Sequence, residues 1–204
     1  NYMKTVKINQ GLCDSSRSHE SRAWSDEELQ QLHQTAAEEW DENKKYRYSA
    51  VLFFMAASGL RAGECCALQW SDYDSKNHIL TINKTLTSYR DYDEGVHVQA
   101  MSTPKTADSV RKIELTAEAI YWFKEIKRRQ VESGILTNYV VSTRNGKIAN
   151  QRDLNVRFQT FCKVAGVEYN PTHACRRSYT SVLYDGGVPV SEIARDLGHK
   201  KITT

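Results

Sequence analysis

The chain has 204 residues, of which 40% are hydrophobic and 26% charged. That balance is expected of a soluble globular protein, long enough for one large domain or two small ones. No apolar run approaches the roughly 18 residues of a membrane span, so no membrane partner is expected and the setting is read as cytoplasmic. Net charge is +3 and pI about 8.5, which permits nucleic-acid binding without demanding it. The five cysteines, Cys13, Cys65, Cys66, Cys162 and Cys175, are odd in number and form no C-x-x-C pair. They read as buried free thiols. With no cluster at ligand spacing, no metal or other cofactor is expected.

Residues 1–23 mix charge, Ser and Gly with little periodicity. They read as a linker from an upstream DNA-binding domain, and the Asn1 start suggests a piece of a longer protein. "WSDEEL" announces a first helix, with Ser25 as N-cap, Glu28 three residues on and Trp24 as a staple. It should run to about Trp40. A second helix, from about Lys45 to Ala57, is apolar through "YSAVLFFMAA" and stops at Gly59. A short third follows from about Ala62 to Leu68.

The pattern then changes. "HILTINKTL", "GVHVQAM" and "SVRKIEL" alternate and read as strands, with "STPKTAD" as a turn that puts Lys105 at or near a hairpin tip. Helical signals resume with Thr116 capping "AEAIYWFKEIKRRQVES", which stops at Gly134. "NYVVS" is extended and "RNGK" a turn. Three more helices end at Gly166, at Gly186–Gly187 and at Gly198. The fold class is therefore α+β: mainly helical, with a small three-stranded antiparallel sheet.

Arg61 stands in the largely apolar stretch "SGLRAGECCALQW", three residues before Glu64. Such a cation is either half of a structural ion pair or aimed at an anion. His173 and Arg176, spaced i, i+3 on a predicted helix, share one face. Alone this H-x-x-R is weak, Lys105 reads as an exposed edge lysine, and His199 after Gly198 reads as a C-terminal capping cation.

Their order is specific. "ASGLRAGECCALQWSDYD", "STPKTADSVRKIEL", "THACRRSYTSVLYDGGV" and "IARDLGHKKITT" occur in sequence, and together they resemble the tyrosine recombinase (phage integrase) family over residues 24–204. The "YRDYDEGVHVQAMSTPKT" region is most similar to integrases of conjugative transposons. The resemblance implies the catalytic-domain fold of that family and site-specific DNA recombination through a 3′-phosphotyrosine, without ATP or metal. Arg61 and Arg176 match the two arginines that hold the scissile phosphate. Lys105 matches the lysine that protonates the leaving 5′ oxygen, and His173 and His199 match the family's histidine positions. Glu64 matches the acidic residue that steadies the first arginine.

The physical chemistry agrees with these assignments. Charge on the non-bridging oxygens of a phosphodiester suits planar guanidinium forks, and Lys or His can move the proton. The nucleophilic tyrosine is expected beyond Thr204, so the chain alone is expected to bind DNA without cleaving it. Lys84, Arg144 and Arg177 are expected to contact DNA, Arg177 standing where many relatives carry His. Implied partners are double-stranded DNA, including crossover (Holliday-type) intermediates, a homo-tetramer on paired sites and an accessory bending or excision factor. Two alternatives stand beside this reading. One is a helix-turn-helix transcription regulator built on "VSEIARDLGHKKITT", which leaves the ordered Arg–Lys–His–Arg–His series unexplained. The other is type IB topoisomerase-like activity.

Overall fold

The helix α2 (Ser49–Ser58) organises the fold because its sequence, SAVLFFMAAS, has almost no polar face. A helix hydrophobic all round must be enclosed. Ala50 to Met55 are all buried, and α2 packs against α4 (Ala117–Glu132), α5 (Gln151–Ala165) and α6 (His173–Asp185). Phe54 stacks obliquely on Phe123 of α4, with ring centroids 5.2 Å apart. Each such side chain removed from water contributes about 1.5–3 kcal/mol. The computed structural model describes residues 22–90, 97–102 and 110–198.

Helix α1 (Asp26–Asn43) starts where the sequence predicts. Ser25 Oγ accepts the Glu28 N–H and a Glu28 carboxylate oxygen accepts the Ser25 N–H, which satisfies two otherwise orphaned donors. Trp24 is buried, and its backbone N–H donates to Ser178 Oγ of α6 at 3.1 Å. The predicted end at Trp40 extends to Asn43, with Lys44 in the left-handed cap position. The short α3 (Ala62–Ala67) follows α2 after a three-residue break, and α7 (Val190–Asp196) closes the described chain. Among the described residues no helix is long and apolar enough to cross a membrane.

The strands differ from the sequence expectation in how they divide and pair. "HILTINKTL" divides into β2 (Ile79–Ile82) and β3 (Thr85–Arg90). The break falls at Asn83–Lys84, where Lys84 Nζ is held by Gln69 Oε1 at 2.8 Å and Asp72 Oδ1 at 3.1 Å. The three-stranded antiparallel sheet is β1–β2–β5, with β1 at Tyr73–Asp74 and β5 at Arg111–Glu114, while β3 pairs with β4 (His97–Ser102) in a separate ribbon. β4 and β5 thus belong to different sheets, and the turn expected at "STPKTAD" lies mostly outside the described residues. "NYVVS" holds isolated bridges rather than a named strand.

Cys65, Cys66, Cys162 and Cys175 are buried free thiols, as expected. Burial pushes the Cys66 thiol up to about 12 and Cys162 to about 11, so both stay protonated and unreactive near neutral pH. The basic run Lys124–Arg129 turns partly inward. Arg129 Nε donates to Glu125 at 2.6 Å and its Nη1 to Ser49 at 2.8 Å, which pins α4 to the start of α2.

Candidate active site

At the C-terminal end of α2 the chain reverses through Gly59, whose φ of +64° favours glycine. Space demands glycine as well: an added Cβ would lie 2.5 Å from Tyr179 Cδ1. This turn brings Arg61 to the N-cap of α3 in extended conformation. Glu64, at the third helical position, receives the Arg61 N–H on Oε2 and Arg61 Nη1 on Oε1, both at 2.9 Å. One carboxylate therefore caps α3 and steadies the guanidinium. The Arg61 side chain is 42% exposed and that of Glu64 only 9%.

A second arginine, not singled out from the sequence, holds the same carboxylate. Arg111 opens β5 and forks onto Glu64, Nη1 to Oε1 and Nη2 to Oε2, both at 2.8 Å. Its Nε donates to the Asp196 carbonyl at 3.0 Å. A signal existed in "SVRKIEL": along β5, Ile113 is buried while Lys112 and Glu114 are exposed, so alternation places Arg111 on the inner face. An arginine there needs a buried acid. Burial alone would raise the Glu64 carboxyl, but the hydrogen bonds and charges of Arg111 and Arg61 outweigh it and hold the group at about 2.

Helix α6 presents the third arginine. Arg176 is buried, donating from Nη1 to the Gly59 carbonyl at 2.7 Å and from Nη2 to the Leu197 carbonyl at 2.6 Å. It is thereby tied to the turn two residues before Arg61 and to the end of α7. Burial first, and then the neighbouring charges of Arg61 and Arg111, push Arg176 down to about 10, against an opposing pull from Glu64. It remains cationic at neutral pH. Three guanidiniums around one carboxylate leave an excess of positive charge suited to an anion. His173, one turn before Arg176 at the start of α6, is exposed. Arg177 is also exposed, on the same helix.

The structure thus brings Arg61, Glu64 and Arg176 together, adds Arg111, and places His173 one turn from Arg176. Lys105 and His199 lie outside the described residues. Of the other cations singled out from the sequence, Lys84 is engaged by Asp72 and Gln69, with 18% of its side chain exposed. Arg144 is exposed and lines a cleft of about 830 Å³ near the opposite, N-terminal end of α2, with Lys44, Lys45, Arg47 and Arg157. Burial lowers Arg47, as do the nearby charges of Arg144 and Arg157.

Comparison with known proteins shows the family. The model of the phage integrase family matches residues 22–204. A tyrosine recombinase XerC-like protein of Caldanaerobacter subterraneus is 26% identical over 197 residues, covering 90% of this chain and 49% of the relative. The ICEBs1 integrase of Bacillus subtilis is 27% identical over 155 residues, covering 72% of this chain and 40% of the relative. The chain therefore spans about half the length of the curated relatives it matches. The fold is similar to that of the Tn1549 transposon integrase bound to a circular-intermediate DNA, with TM-score 0.73, 18% identity and coverage of 91% of this chain and 60% of that one. It is also similar to XerA recombinase, with TM-score 0.66, 17% identity and coverage of 88% and 56%. With the family model matching nearly all of its length, the chain belongs to the phage integrase family, the tyrosine recombinases.

Proposed function

We propose that this chain is the catalytic domain of a site-specific DNA recombinase that integrates or excises a mobile element. The observation that carries the reading is the convergence of Arg61 and Arg176, from two different helices, on one corner beside Glu64. Their guanidiniums hold the scissile phosphate through its non-bridging oxygens. A tyrosine from sequence beyond Thr204 attacks phosphorus and gives up its proton to a histidine of the site, His173 or His199. The bond from phosphorus to the 5′ oxygen breaks, and Lys105 protonates that oxygen. The products are a 3′-phosphotyrosine and a 5′-hydroxyl. Because the phosphodiester energy stays in the covalent link, a second 5′-hydroxyl can reverse the step without ATP.

Duplex DNA is the partner, and the cations of the 830 Å³ cleft, Arg144 among them, give the phosphate backbone a second contact region beyond the scissile site. Arg177 adds another. The Tn1549 integrase structure contains a circular-intermediate DNA, which supports this choice of partner. Assembly as a tetramer on paired sites, with an accessory bending or excision factor, belongs to the same reading.

The test uses the protein extended through the expected tyrosine, and a duplex from which the cleaved strand diffuses away. Covalent protein–DNA product should accumulate for the parent protein. Arg61→Ala and Arg176→Ala should each lower its rate by about 10²–10³-fold, the scale for losing one preorganised transition-state donor. Near-parental cleavage by either variant refutes the assignment.

A further inference from the structure

Two arginines share the Glu64 carboxylate, but they are used differently. Arg111 commits all three nitrogens of its guanidinium, two to Glu64 and one to the Asp196 carbonyl, and its side chain is 12% exposed. Arg61 commits one guanidinium nitrogen, Nη1, to Glu64; its Nη2 and Nε make no hydrogen bond among the described residues, and its side chain is 42% exposed. One arginine is consumed by the protein and the other is offered to solvent.

The contacts of Arg111 also close a circuit. From Arg61 the path runs through Glu64 to Arg111 and on to the Asp196 carbonyl at the end of α7. The neighbouring Leu197 carbonyl binds Arg176, which binds the Gly59 carbonyl, two residues before Arg61. Gly198 packs on the same side chain: a Cβ there would lie 3.3 Å from Arg111 Cδ. Arg111 is the member of this circuit that comes from a strand; the others come from α3, α6, α7 and the turn after α2.

We infer that Arg111 is a positioning residue for anion binding: its fork fixes the Glu64 carboxylate so that Arg61 is held with its remaining donors turned toward the phosphate, in one frame with Arg176. The inference rests on the reading of Arg61 as a phosphate-binding residue. Geometry sets the requirement for arginine. A carboxylate side chain has several rotatable bonds, and a lysine at position 111 would pin it at one point while leaving the Asp196 carbonyl unmet. Arg111 therefore acts through the shape of its fork as well as its charge, and this separates it from a cation that merely attracts the ligand.

The experiment measures orthovanadate affinity of the 204-residue protein by calorimetry, alongside thermal unfolding of every variant. Arg61→Ala comes first and should weaken orthovanadate at least severalfold. Arg111→Met should weaken it about tenfold, the equivalent of one well-made charged hydrogen bond. Arg111→Lys, which keeps the charge and guards against a misfolded methionine variant, should recover little of that loss. In the Arg61→Ala background Arg111→Met should add less than about twofold, because Arg111 acts through Arg61. Full rescue by lysine, or an undiminished loss in the Arg61→Ala background, overturns the positioning role while leaving the phosphate reading intact. Unchanged affinity in Arg61→Ala refutes the phosphate reading itself, and the positioning role with it.

Discussion

Glu64→Gln removes the charge on which Arg61 and Arg111 converge. In the folded protein the Glu64 carboxyl lies at about 2 against an ordinary 4.5. At about 1.4 kcal/mol per pH unit, that depression is worth about 3 kcal/mol. The half-exposed Arg61 contributes less of it than the less exposed Arg111. Glutamine would also turn an N–H toward a guanidinium where Glu64 now accepts. The expected destabilisation at pH 7 is about 2–3 kcal/mol, or roughly 5–10 °C in Tm. The sign of the pH dependence follows from the direction of the shift. A carboxyl depressed by folding stabilises fully above its unfolded value near 4.5, and that stability is lost as pH falls toward 2. Urea unfolding from pH 7 to pH 3 should show a constant gap between parent and variant down to about pH 5, falling to less than half by pH 3. A gap that stays unchanged to pH 3, or one below about 0.5 kcal/mol at pH 7, refutes the electrostatic account of Glu64.

Gly59→Ala combines a left-handed φ of +64° with a Cβ 2.5 Å from Tyr179, and should cost about 2 kcal/mol or more by thermal unfolding. It should also weaken orthovanadate binding, because the Gly59 carbonyl holds Arg176. A neutral effect on both would show that the turn tolerates a side chain. Lys84→Ala should lower stability by about 1–2 kcal/mol through its lost contacts with Asp72 and Gln69, with the salt dependence of duplex binding unchanged. Arg144→Ala should reduce that salt slope by about 1, with little change in Tm; exchanged outcomes would reverse the two roles. In the tyrosine-bearing protein, Lys105→Ala should slow cleavage of ordinary DNA while sparing a substrate with a more acidic 5′ leaving group. Equal slowing of both would remove Lys105 from the role of acid.

The helices were legible because their signals are local. The Ser25–Glu28 box, the apolar run of α2, and the stops at Gly59 and Gly166 each depend on a few adjacent residues. The sheet was less so. "HILTINKTL" alternates throughout, and only the tertiary hold on Lys84 shows where it breaks. Arg61, Glu64 and Arg176 could be found because each stands in a recognisable stretch. Arg111 was in view within "SVRKIEL" but lacked a partner, since the partner lies 47 positions away in sequence. The bonds from Arg176 to Gly59 and Leu197 go to backbone carbonyls, which every residue carries and no sequence pattern marks.

The central claim is that Arg61 meets negative charge on the scissile phosphate. The direct measurement compares cleavage rates of the tyrosine-bearing protein and its Arg61→Ala variant on two duplexes. One carries an ordinary phosphodiester at the cleavage site, and the other a methylphosphonate, in which a neutral methyl replaces one charged oxygen. The parent-to-variant ratio should be about 10²–10³ on the phosphodiester and shrink by at least about tenfold on one methylphosphonate stereoisomer, where the charge that Arg61 serves is gone. An identical ratio on the phosphodiester and on both stereoisomers would contradict the claim and return Arg61 to the role of a structural partner for Glu64.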